Sequence, residues 1–171
     1  MRGRDVILGI LNRSPRTGYE INDILKNQLT YFYDGTMGMI YPTLRKLEAE
    51  GKIKKETIIQ DGKPNKNVYT ITSSGKQEFN DYMQSKVSPE SIKSDFLLRL
   101  YFGESILSDD QVIKLIDQEI TRKQQQLNSI KDNADRWKEK GMQRLQNITL
   151  SYGINYYQSA LKFLQHIRSQ L

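Results

Sequence analysis

A mainly α-helical fold in two parts, interrupted by one pair of strands, is predicted by three observations on the 171-residue sequence. Apolar residues of the first half recur at helical spacing in short segments. A strand-like pair with a Lys-, Asp- and Gly-bearing turn follows them. Beyond Pro89 no proline occurs and the apolar spacing becomes heptad-like. Val87-Ser88-Pro89-Glu90-Ser91 is the polar break, which sets the expected domains at 1–88 and 89–171.

Val6, Leu8, Ile10 and Leu11 crowd a first helix that Ser14-Pro15 ends, because proline biases its predecessor out of the α region. Thr17 caps a second helix carrying Tyr19, Ile21, Ile24, Leu25 and Leu29, with Glu20 three residues after the cap as a capping box requires. A loop from 30 to 35 leads to Thr36, the expected cap of a third helix with an inner stripe of Ile40, Leu44 and Leu47 and a C-terminal Gly51. Pro42 leaves two readings open, a bend in the first turns or a later start. The period then changes: Ile53 to Ile59 and Val68 to Ile71 form a hairpin around Asp61-Gly62-Lys63-Pro64-Asn65-Lys66. Thr72-Ser73-Ser74-Gly75 opens a fourth helix expected to bury Phe79, Tyr82 and Met83.

Composition excludes much chemistry. There is no Cys and a single His, His166, so disulfides, thiolate metal sites, cysteine nucleophiles and multi-His metal centres drop out. No paired carboxylates, nucleophile–base set or phosphate-cradling glycine loop is visible, and Ser14, Ser73 and Ser74 read as caps and turns. Neither an enzymatic activity nor a cofactor or metal is expected. The apolar run from Val6 to Leu11 is too short for a signal h-region, and no 18-residue apolar stretch occurs, so the chain reads as cytoplasmic with no membrane partner.

Three helices followed by a basic hairpin and a fourth helix are the order of a winged helix-turn-helix, a layout that reads double-stranded DNA. The major groove admits one helix, so the third must bury Ile40, Leu44 and Leu47 and offer its other side to base edges. Thr36, Met37, Gly38, Tyr41, Arg45 and Lys46 are the candidates there. Arg45 can fork onto guanine or grip a phosphate, Tyr41 can donate to a phosphate, and Met37 or Thr36 can meet a thymine methyl. Tyr19 on the second helix reads equally as a core aromatic or a contact. Residues 52–66 hold Lys52, Lys54, Lys55, Lys63 and Lys66 against Glu56 and Asp61, a net +3 within an overall +6. Lys63 and Lys66 are the wing candidates for phosphate. A winged-helix module for protein contacts, without DNA binding, is the competing reading.

Gly18-Tyr19-Glu20, then Ile40-Tyr41-Pro42-Thr43-Leu44-Arg45-Lys46-Leu47-Glu48-Ala49-Glu50-Gly51, then Tyr69-Thr70-Ile71-Thr72-Ser73-Ser74-Gly75 resemble the PadR family of transcriptional regulators in order and spacing over about residues 1–85. The resemblance implies a prokaryotic dimeric winged-helix repressor on an inverted-repeat operator, released in some members by a small aromatic or other effector. It places Tyr19, Tyr41 and Arg45 toward DNA and Lys63 and Lys66 on the wing. The second half is similar to the helical extension of the longer, virulence-activator-like subfamily. Where many of those relatives have Trp in the last helix this chain has Phe163, and its sole Trp is Trp137.

Without the family, Ile116, Ile120, Lys123, Leu127, Ile130, Ala134 and Trp137 follow a 4-3-4-3 spacing, as do Leu150, Ile154, Tyr157, Leu161, Leu164, Arg168 and Leu171. Two long helices of this kind can pair antiparallel. Their apolar positions (Ile116, Ile120, Leu127, Ile130, Trp137, Leu150, Ile154, Tyr157, Leu161 and Leu164) are the expected dimerisation residues of a coiled-coil-like homodimer. Phe96, Leu97, Leu98, Leu100, Tyr101 and Phe102 are too dense for one surface face, so a second subunit is expected to help bury them.

Overall fold

In the computed structural model, which describes residues 2–33, 35–59, 62, 65–139 and 141–171, the chain divides into two compact units, Met1–Pro89 and Glu90–Leu171. The first is built from α1 (Gly3–Arg13), β1 (Arg16–Thr17), α2 (Gly18–Ile24), α3 (Met37–Ala49), β2 (Ile53–Ile58), β3 (Lys66–Ile71) and α4 (Ser73–Gln84). Ile7, Leu8 and Leu11 of α1, Ile21 of α2, Ile40, Leu44 and Leu47 of α3, and Ile53 and Ile71 of the sheet form its core.

The local signals account for most of these boundaries. The Thr17 hydroxyl accepts from the Glu20 amide at 3.2 Å while the Glu20 carboxylate accepts from the Thr17 amide at 2.7 Å, so both halves of the capping box form. A π-helical turn, Leu25–Leu29, continues α2. α3 ends in a Schellman motif: Gly51 has φ 67°, its amide donates to the Glu48 carbonyl, and the Lys52 amide donates to the Leu47 carbonyl at 2.8 Å. Pro42 lies inside α3, so of the two readings the helix takes the early start at Met37. Thr36 holds the cap position in extended backbone, but its hydroxyl makes no capping bond, which corrects the expected role of that side chain.

β2 and β3 pair antiparallel from Ile53 opposite Ile71 to Ile58 opposite Lys66. A third strand was not foreseen: β1 pairs with β3, Arg16 opposite Tyr69 and Thr17 opposite Val68, giving the order β1-β3-β2. Two residues are too few to show a period. On α4, Phe79 packs against the core beside Gly9, and Tyr82 is half-buried. Met83, expected to be buried, is exposed because it lies past the stripe that meets α1.

The second unit contains α5 (Asp95–Phe102), α6 (Asp109–Glu139) and α7 (Arg144–Arg168). α7 folds back along α6: Asp117 near the start of α6 accepts from Arg168 at the end of α7 at 2.8 Å, and Lys123 meets Tyr156 and Tyr157. Ile116, Leu127, Ile130 and Ala134 of α6 and Leu150, Tyr157, Leu161 and Leu164 of α7 are buried, with Ile120, Trp137 and Ile154 half-buried. The pairing of the two helices within one chain thus covers the fully buried positions of this seam, while Ile120, Trp137 and Ile154 keep part of their surface open. Gly153 is buried on the same side.

α5 adds Phe96 to a small core with Ile116 and Leu164 and leaves Leu97, Leu98, Tyr101 and Phe102 exposed. Beside the seam, Leu145, Ile148, Tyr152, Tyr156 and Phe163 lie along one flank of α7 and are exposed, Tyr152 by 66%.

Candidate nucleic-acid interface

The candidate interface is the outer side of α3 together with the start of α2 and the β2–β3 wing. Burying Ile40, Leu44 and Leu47 turns Gly38, Pro42, Arg45 and Ala49 outward on the opposite side, and all four are exposed. Lys46 is exposed beside them, and Thr36 and Met37, the latter 41% exposed, form the leading edge.

Tyr41 lies on the flank rather than the crest. It is half-buried against the core, and its ring fills the space over Gly18, where an added Cβ would come within 2.9 Å of its Cε1 and hydroxyl. Gly18 and Tyr41 thus fix how closely the start of α2 approaches α3. Tyr19, the next residue, is 74% exposed, which decides between its two readings in favour of a surface position.

The charges on α3 are not mutually cancelled. Glu48 is turned to Lys55 of β2 at 3.8 Å, and Glu50 accepts from Arg4 of α1 at 2.7 Å, a contact that holds the Glu50 carboxyl below the usual carboxylate range. Among the described residues, no carboxylate forms an ion pair with Arg45 or Lys46. The outer side of α3 is consequently basic, whereas its bare sequence, with Glu48 and Glu50 near Arg45 and Lys46, reads as neutral.

Lys54 and Lys55 are exposed on successive positions of β2, so they point to opposite faces of the wing. Lys66 opens β3 and is exposed; its field helps to lower the Glu20 carboxyl, whose shift comes first from the Thr17 amide. Lys52, counted with the wing lysines on sequence, instead turns inward to Ser74 at 2.9 Å and Glu78 at 3.5 Å. Lys63 lies outside the described residues. Arg16 was missed: β1 carries it beside Tyr69 and 3.9 Å from Glu20, at the sheet edge next to α2. Its two-residue strand gave no signal to find it by.

Among the described residues no cluster of three metal-ligating side chains occurs, and no helix is long and apolar enough to cross a membrane. A helix presented outward, a neighbouring helix entering at its flank and a basic two-stranded wing define the class of winged helix-turn-helix proteins.

Residues 7–81 match the transcriptional regulator PadR-like family and residues 92–171 the virulence activator alpha C-terminal family. The chain is 35% identical over 131 residues to the negative transcriptional regulator PadR of Bacillus subtilis (strain 168), covering 76% of this chain and 71% of that one. Among solved structures it is 56% identical to smu.1604c from Streptococcus mutans UA159, with a TM-score of 0.91 and 99% of each chain covered. The structure of Bacillus subtilis PadR in complex with operator DNA is 27% identical, with a TM-score of 0.85, covering 98% of this chain and 97% of that one. The same protein in complex with p-coumaric acid is 26% identical, with a TM-score of 0.76, covering 98% and 96%. The chain belongs to the PadR-like family and is a transcriptional regulator, not an enzyme.

Proposed function

We propose that the protein is a cytoplasmic homodimeric repressor that binds an inverted-repeat operator with two winged helices and lets go when a small-molecule effector binds. Residues 1–88 are the DNA-binding domain and 89–171 the dimerisation domain in this reading. The observation that carries it is the basic side of α3: among the described residues Arg45 and Lys46 form no ion pair, while Glu48 and Glu50 are held by Lys55 and Arg4. A helix with that outward charge, flanked by wing lysines, fits a major groove lined by phosphates.

In this arrangement Thr36, Met37, Gly38 and Arg45 face base edges. Tyr19, Lys46, Lys63 and Lys66 contact phosphates, and Tyr41 sets the approach of α2. Two half-sites met by a symmetric dimer lie about 34 Å apart. The operator-bound and p-coumaric-acid-bound forms of the Bacillus subtilis relative support both the DNA target and an effector of the small aromatic acid class.

In vitro selection of duplex DNA by the full chain, followed by titration across salt concentrations, tests the reading. About six phosphate contacts give a log-log slope near −5. A binding curve indifferent to salt, with no sequence selected, would instead mark the winged helix as a protein-contact module.

A further inference from the structure

Most glycines of the first unit have a reason to be glycine that lies inside the protein. Gly51 and Gly62 have positive φ, and Gly3, Gly9, Gly18 and Gly35 each have a neighbour within 3.0 Å of where a Cβ would stand. Gly38 has neither reason. Its φ is not positive, it is exposed, and a Cβ there would meet only the Thr36 hydroxyl, in ordinary contact at 3.8 Å. Glycine inside a helix destabilises it relative to alanine, so the fold alone favours a side chain at this position.

Gly38 stands one turn before Pro42, with Arg45 and Ala49 continuing the same outward side of α3. Proline has no amide hydrogen, so the Gly38 carbonyl lacks the donor that the residue four positions on would supply. The next hydroxyl does not replace it: Thr43 donates to the Met39 carbonyl at 2.7 Å. The outward side of α3 therefore combines a missing side chain with a backbone acceptor that has no amide donor four positions on. Glycine is the residue used where backbone must approach a ligand closely, and the major groove offers donors of matching chemistry in the exocyclic amines of cytosine and adenine.

Resting on the DNA-binding reading above, we propose that α3 docks on its operator through Gly38. The absent side chain lets the helix backbone reach the groove floor, and the Gly38 carbonyl accepts a hydrogen bond from an exocyclic base amine.

The experiment uses the full chain and the operator it selects. Gly38→Ala and Gly38→Leu keep or raise the melting temperature, since both residues favour helix and the site is open. Operator affinity falls by about tenfold for alanine and about a hundredfold for leucine, the scale of losing one and then two base-pair contacts. Pro42→Ala restores the amide to the Gly38 carbonyl and relaxes the selected preference at one base pair, whose identity tells cytosine from adenine. Wild-type operator affinity in folded Gly38→Ala and Gly38→Leu proteins would overturn the close approach. An unchanged selected sequence for Pro42→Ala would overturn the carbonyl contact. A wild-type chain that selects no sequence at all would overturn the regulator reading itself, and this proposal with it.

Discussion

Glu48 of α3 and Lys55 of β2 face each other at 3.8 Å, tying the third helix to the wing across the turn at Gly51. With Glu50 held by Arg4, both carboxylates have ion-pair partners other than Arg45 and Lys46. The two lysines of β2 thus differ: Lys55 pairs with Glu48, whereas Lys54 is exposed on the other face of the wing.

Arg45→Ala is expected to weaken operator binding by about 1–3 kcal/mol while leaving random duplex nearly unaffected, the result of losing a base contact. Lys54→Ala should weaken all sequences alike and reduce the magnitude of the salt slope by about 1. Fluorescence anisotropy titrations on both DNAs check this; equal losses on operator and random DNA for Arg45→Ala would reassign that side chain to phosphate.

The helices, the hairpin and the family were legible because each rests on local chemistry: the Thr17–Glu20 box, the Gly51 stop, and the alternation that ends at Thr72. The outward basic side of α3 was legible in residue type but not in charge, because the partners of Glu48 and Glu50 are 7 and 46 residues away in sequence. Lys52 failed for the same reason, its partners Ser74 and Glu78 lying on α4. The heptads of α6 and α7 were read correctly as a seam, yet a seam does not say whether its other half is on the same chain. The second apolar stripe of α7 was overlooked beside the first, since Asn155 and Ser159 interrupt it.

Arg4 joins three elements of the first unit. Its guanidinium donates to Glu78 of α4 at 2.6 and 3.0 Å and to Glu50 at the end of α3 at 2.7 Å, and these hydrogen bonds raise its pKa further above an already high value. With about a fifth of both side chains exposed, the Arg4–Glu78 pair is partly desolvated. Arg4→Ala should therefore lower unfolding free energy by about 1–3 kcal/mol, read from the urea midpoint. Glu50→Gln should change it little, because that contact lies in solvent.

Glu20 gives a pH signature. The Thr17 amide and hydroxyl hold its carboxyl below the ordinary value, so the charged form is bound more tightly in the folded state than in the unfolded one. Its contribution is therefore present above the unfolded value of 4.5 and is lost as pH falls through the depressed folded value. Glu20→Gln, which keeps the geometry, should be less stable than wild type at neutral pH. The gap should close on acidification, and equal gaps at pH 7 and at about pH 2.5 would show that ionisation of Glu20 contributes nothing. The Glu50 carboxyl is lowered as well, so the difference between the two proteins, not the wild-type curve, isolates Glu20.

Lys123, the charged interruption of the α6 heptads, is held by groups that the heptad alone does not show. Its ammonium is 3.5 Å from the buried Glu119, which also pairs with Arg122, and stands over the rings of Tyr156 and Tyr157 at 5.6 and 5.5 Å. Removing Lys123 leaves the buried Glu119 with Arg122 alone, whereas removing both Lys123 and Glu119 restores an apolar seam. Lys123→Leu alone should cost about 1–3 kcal/mol, and Glu119→Leu with Lys123→Leu should melt at or above the wild-type temperature. Additive losses in the double variant, measured calorimetrically, would show that the two side chains do not act as a pair.

The exposed stripe of α7 and the exposed side of α5 are the surfaces on which the proposed homodimer can be tested. With α6 covering most of the seam, Leu145, Ile148, Tyr152, Tyr156 and Phe163 provide further exposed apolar surface along α7. Contiguous exposed apolar surface of this kind is uncommon on a monomer and marks an interface. Ile148→Glu with Tyr152→Glu places two charges in the middle of that stripe without touching the seam. The variant should sediment as a monomer at micromolar concentration while its helical circular dichroism is retained, and it should lose operator affinity far more than affinity for a single half-site. A dimer of undiminished stability would move the interface to α5, where Leu97→Glu with Tyr101→Glu is the corresponding variant.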